Sequence, residues 1–224
     1  MAQNSIYTNK AGAYFEWLLL PLLFFASLWL ILPNESDEPW LWILGSILLI
    51  ATPILLHRSK KHWPASGKPY YISSKDALSD AFFLFSPVVL GVALAGGVEL
   101  QLSSDRVLGS LLVYPIYALL QLSIFLVIPA TRMIKLGFSS NTICIISALI
   151  FSLAHFPNPL LMVFTGLAML VFCYQFLKGR SILVLALVMG IAASGFRATI
   201  PYEWSWDMRI GPDYMEKRAL SNEK

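Results

Sequence analysis

About seven apolar stretches follow one another along this chain, each close to the length needed to cross a bilayer, with only short polar links between them. In hydrocarbon every backbone N–H and C=O must be satisfied within the structure, so such a chain has two solutions, a helix bundle or a closed β-barrel. Runs of about 16–24 apolar residues are far longer than barrel strands, which leaves an all-α, polytopic transmembrane helix bundle of about seven spans. The expected spans are 14–32, 39–57, 78–97, 107–130, 141–156, 159–177 and 181–196. The first could be taken for a signal peptide, but it ends Ile31-Leu32-Pro33-Asn34-Glu35 with no small-residue cleavage site, so it reads as a retained span.

Composition agrees. Hydrophobic residues make up 57% of the chain and charged residues 13%, with a mean hydropathy of +0.67. Soluble domains carry roughly 25% charged residues, so there is too little charge here to cover a globular surface. The net charge of +3 is spread over the loops, and no basic stripe suggests nucleic acid. Cys144 and Cys173, the only cysteines, both lie in apolar runs and read as small hydrophobes, not as a disulfide or metal framework. The organisation expected is a cytoplasmic N-terminus (1–13), the bundle (14–196) and a polar tail (197–224).

Loop charge sets the expected orientation. The link Asn34–Glu38 has no Lys or Arg, whereas the next carries Arg58, Lys60, Lys61, Lys68 and Lys75. Arg132 and Lys135 follow the fourth span, and Lys178 and Arg180 follow the sixth. The positive-inside rule places these basic loops, and the N-terminus, in the cytoplasm; seven full spans then put the tail outside, and a re-entrant seventh segment would return it inside. A bacterial inner membrane is the expected location. Trp29, Trp40, Trp42, Trp63, Trp204 and Trp206 stand near span ends, as interfacial anchors do.

Ionisable and polar groups inside a membrane are costly and mark candidate sites. Glu16, Asp76, Asp80 and Glu99 lie at span ends, where they reach the interface or cap a helix. Two positions lie deeper. Gln121 is ~15 Å, and His155 ~21 Å, from the inner ends of their spans. Ser152, three residues before His155, has the spacing to share a helix face with it, as a nucleophile and base would. With His57 and His62 in a basic loop, His155 is the one core histidine, too few ligands for an all-protein zinc site. A lone histidine does suffice as axial ligand to a tetrapyrrole, which makes His155 a weak cofactor candidate; no cofactor and no metal is otherwise expected.

The stretch Phe151-Ser-Leu-Ala-His155-Phe-Pro157-Asn158-Pro159 resembles the F-x-x-x-H motif of the CAAX-protease and bacteriocin-processing (CPBP, or Abi) family of intramembrane proteases. The following segment, Gly166 to Ser181, is similar to that family's Gly-containing span with a short basic turn. Met208-Arg-Ile-Gly-Pro-Asp-Tyr214 resembles the ending of one subgroup. The likeness covers roughly 107–215, with a protease-like core at about 107–196.

The resemblance implies a catalytic set that this chain only partly carries. The family's first motif is E-E-x-x-x-R, in which a glutamate activates water. The corresponding stretch, Tyr117 to Arg132, contains no acid, though Gln121 and Arg132 match a glutamine-bearing variant. Met189 stands where a second histidine is expected, and Asn158 belongs to the surviving signature. Glutamine cannot act as a general base, and methionine cannot donate a hydrogen bond to an oxyanion. The expectation is a pseudoenzyme: a non-catalytic binding, accessory or assembly subunit whose partners are the lipid bilayer and another membrane protein. Two alternatives stand beside it. One is an active endopeptidase using His155, with Glu99 or Asp80 reaching the cavity; the other is a tetrapyrrole-binding subunit.

Overall fold

A computed structural model of the chain describes residues 18–19, 21–26, 29, 52, 54, 104–200 and 208–222. The expected span 78–97, all of 39–57 but Thr52 and Ile54, part of 14–32, and Glu16, Asp76, Asp80, Glu99, His57 and His62 lie outside the described residues. The described part is all-helical: α1 (Ser104–Leu122), a π-helical turn (Ser123–Val127), α2 (Ile128–Lys135), α3 (Ser140–Leu153), α4 (Pro159–Leu177), α5 (Ile182–Thr199) and α6 (Gly211–Asn222). Two helical stretches are long and apolar enough to cross a membrane, Leu111–Lys135 and Pro159–Leu177; α3 and α5 are apolar but shorter.

Local chemistry explains the breaks. The α2 helix ends in a Schellman motif: Gly137 has φ +84°, its N–H donates to Ile134 O, and Phe138 N–H donates to Met133 O. Phe138 then packs against the core. The α4 helix ends in the same way, with Gly179 at φ +89°, Gly179 N–H to Phe176 O and Arg180 N–H to Gln175 O. Ser139 caps α3 by accepting from Thr142 N–H, and Asn158 caps α4 by accepting from Leu161 N–H, with Pro159 in the first turn.

Three of the expected spans shift. The fourth span, expected at 107–130, belongs to helical structure that runs on from α1 through the π turn to Lys135. Hydropathy falls at Thr131-Arg132, but a helix needs a breaker to stop, and the first one is Gly137. Arg132 is therefore not a loop residue; it lies inside α2 and is buried. The fifth span, expected to reach 156, stops at Leu153, because Pro157 and Pro159 disfavour helical backbone in the residues before them. The α4 helix occupies 159–177, and α5 occupies 182–199, three residues past the expected end.

The helices pack in two close pairs. The α1 and α5 helices meet at Pro115 and Gly190, where a Cβ added to the glycine would lie 2.5 Å from Pro115 N and 2.7 Å from its Cα. The α3 and α4 helices are antiparallel and meet at Ser152 and Gly166; Ser152 Oγ donates to Met162 O at 2.8 Å. Small residues bring membrane helices together in this manner. Phe164 on α4 and Phe196 on α5 join the pairs, with ring centroids 5.2 Å apart. The centre is filled by Leu122 through Ile128 and by Phe151, Met169, Phe172 and Phe176.

The outward faces are apolar as well. Ile145, Leu149 and Leu153 on α3, and Val163, Leu167 and Val171 on α4, are exposed at four-residue intervals. Helices hydrophobic on both their inner and outer faces belong in lipid or against another protein.

Candidate functional site

The F-x-x-x-H spacing has a direct structural result. Phe151 is the last-turn residue of α3 whose carbonyl no helical N–H reaches, and His155 Nδ1 lies 2.8 Å from that oxygen. A carbonyl can only accept, so Nδ1 is the donor and, in neutral histidine, Nε2 keeps the lone pair. The imidazole also stands edge-on to the Phe151 ring, with centroids 4.8 Å apart. Phe151 in turn packs on Phe125 of the π turn at 5.4 Å, and Phe125 on Phe24 at 5.0 Å. A continuous aromatic stack thus runs from the first apolar segment to the histidine, which is buried.

His155 does not lie on the helix with Ser152. The α3 helix ends at Leu153, and His155 occupies the turn 154–158 that leads into α4. The Ser152 hydroxyl is engaged with Met162 O across the helix pair. The geometry offers no nucleophile–base couple between these two residues.

Asn158 is fully buried and joins three parts of the chain. Its N–H donates to His155 O at 3.0 Å, its Oδ1 accepts from Leu161 N–H at 3.2 Å, and its Nδ2 donates to Arg209 O at 3.2 Å. Beside it, Gly211 N–H donates to Phe156 O at 2.9 Å. Phe156 also stacks on Trp29, with centroids 5.7 Å apart, so Trp29, expected as an interfacial anchor, packs beside the histidine turn.

The other expected residues sit on other helices. Gln121 is buried in the last turn of α1, one turn beyond Tyr117, whose hydroxyl its side chain reaches. Arg132 is buried in α2, and Met189 is a half-buried α5 residue packed on the core. Among the described residues no hydrogen bond joins the His155 ring to Gln121, Asn158, Arg132 or Met189.

Val127 and Ile128, five and four residues before Arg132, are fully buried at the junction of the π turn and α2. The π turn has no sequence signature; Ile128 N–H reaches back to Ser123 O, and Ser123 Oγ donates to Leu119 O. Such turns are common at functional sites.

Among the described residues no group of three or more His, Cys, Asp or Glu is placed to hold a metal ion. Residues 106–202 contain no Asp or Glu at all. Among the described residues the site brings together one imidazole, a set of main-chain hydrogen bonds and apolar side chains.

Among the described residues the site is an apolar helical bundle with His155 at a helix-to-helix turn. Residues 104–193 match the family model described as type II CAAX prenyl endopeptidase Rce1-like, so this segment carries an Rce1-like domain of the CPBP family. The family is membrane-embedded, in keeping with the two long apolar helical stretches. No curated relative and no solved structure matches the chain significantly.

Proposed function

We propose that this protein is a non-cleaving member of the family that retains the bundle as a binding or assembly module for another membrane protein. The observation that carries the reading is the chemistry at the motif positions. Tyr117 to Arg132, the stretch that corresponds to the first motif, holds no acid, Gln121 is an amide, and Met189 stands where the second histidine is expected. Hydrolysis of a peptide bond needs a base for water and a donor for the oxyanion, and His155 alone cannot supply both at once. Loss of the general base by itself removes typically 10²–10⁴-fold in rate.

The helix directions support an orientation. The turns after α2 and α4, with Lys135, Lys178 and Arg180, lie at one end of the α3/α4 pair, and the His155 turn lies at the other. The positive-inside rule puts the basic end in the cytoplasm and His155 toward the opposite face.

The test is an assay of purified protein on a prenylated C-terminal peptide, the substrate class named by the matching family. No turnover above background is expected, and His155→Ala is expected to change nothing. Turnover that His155→Ala abolishes would sink the reading. Purification in mild detergent should bring down a stoichiometric membrane partner; a monodisperse, partner-free monomer from native membrane counts against an assembly role.

A further inference from the structure

Two segments more than fifty residues apart meet at the His155 turn, and their contact is made largely through main chain. Arg209 O accepts from Asn158 Nδ2, and Gly211 N–H donates to Phe156 O. The two tail groups flank Ile210, so one edge of the segment faces the turn with an acceptor and then a donor. Around this edge the segment is held in shape. Met208 and Gly211 have φ of +59° and +63°, Arg209 and Asp213 form an ion pair one turn apart, and the Tyr214 side chain is buried. Ile210 packs against the core.

We propose that Met208–Tyr214 is a built-in latch that closes the His155 turn and occupies the backbone-recognition edge beside it. An extended polypeptide entering at this end would have to displace it. The argument is one of shared groups. Phe156 O and the Asn158 amide are the polar groups of the turn that face the tail, and a main-chain ligand would use the same acceptor and donor. Asn158 couples latch to site, because its backbone N–H holds His155 O while its side chain holds Arg209 O. The inference is independent of whether the domain cleaves anything.

Asn158→Asp isolates the contact. Aspartate keeps the oxygen that caps α4 and is itself a good cap, but the Nδ2 donor becomes an oxygen facing Arg209 O. The histidine is read with diethyl pyrocarbonate, which acylates the free imidazole nitrogen, Nε2 here, and mass spectrometry follows the modified His155 peptide. The tail is read with trypsin at Arg209 and Arg218. Loss of one such hydrogen bond corresponds to about a tenfold change in latch opening. Asn158→Asp is expected to raise both rates by about that factor, and truncation after Asp207 is expected to raise His155 acylation at least as far. Faster tail cleavage with unchanged His155 acylation overturns the latch, because the segment then leaves without opening the site. Unchanged rates of both kinds overturn it as well. If the aspartate variant does not fold, the truncated chain decides on acylation alone.

Discussion

Gly190→Ala tests the closest approach in the bundle. The added methyl would meet Pro115 N at 2.5 Å and Pro115 Cα at 2.7 Å. These are backbone atoms of a residue inside a helix, so no rotamer change relieves the clash; α1 and α5 have to separate. Overpacking of this kind costs typically about 1–3 kcal/mol, and atoms that cannot rotate away place it in the upper half of that range. Alanine returns up to about 1 kcal/mol of helix propensity. The net loss expected is about 1–2 kcal/mol, and at about 2–4 °C per kcal/mol the melting temperature falls by roughly 2–8 °C. Thermal unfolding in mild detergent, followed with a thiol-reactive dye, is a suitable assay because Cys144 and Cys173 are both buried and free. Gly109→Ala, on the same helix as Pro115, is the control: nothing lies within 4 Å of its added Cβ, so only the propensity gain remains and stability should hold or rise. Gly190→Ala as stable as the wild type, or shifts of the same sign in both variants, would refute the close α1–α5 packing.

Other outcomes follow from single contacts. Ser139→Ala removes a hydroxyl that accepts from Thr142 N–H and should cost about 1 kcal/mol in the same melting assay. Ser181→Ala should be close to neutral although Ser181 also precedes a helix, because its hydroxyl is buried, makes no cap bond and has no partner; a loss as large as that of Ser139→Ala would contradict this geometry. Phe151→Ala should be among the most damaging substitutions, at about 3–5 kcal/mol, since the ring is almost wholly buried between Phe125 and His155; a loss below about 1 kcal/mol would mean that the aromatic stack is not the support of the histidine turn.

Much of this architecture is readable from hydropathy, because long apolar runs in lipid admit one backbone solution. The segment 159–177 is an instance, bounded by Asn-Pro at one end and Lys-Gly-Arg at the other. Hydropathy misjudges ends wherever polarity and helix propensity part company. At Thr131-Arg132 a polar pair lies inside a continuing helix, and at Ala154–Phe156 the end of an expected span lies outside one. The histidine was legible because a four-residue spacing puts its ring against the Phe151 carbonyl and ring. The role of Asn158 as a joint between turn and tail was not, since its partner Arg209 is 51 residues away and no local rule connects them. Nor was the π turn, where Ser123–Val127 carry no residue that demands it.

A carboxylate at Val127 or Ile128 would sit in a fully buried segment, where an ionised group is strongly disfavoured unless paired and hydrogen-bonded. Valine and isoleucine make the segment an unbroken apolar run from Ile124 to Ile128 at the centre of the bundle. His155 Nδ1 closes a helix end, its ring completes the Phe24–Phe125–Phe151 stack, and its carbonyl anchors Asn158. Removal of the imidazole would leave both a buried carbonyl and an aromatic stack incomplete.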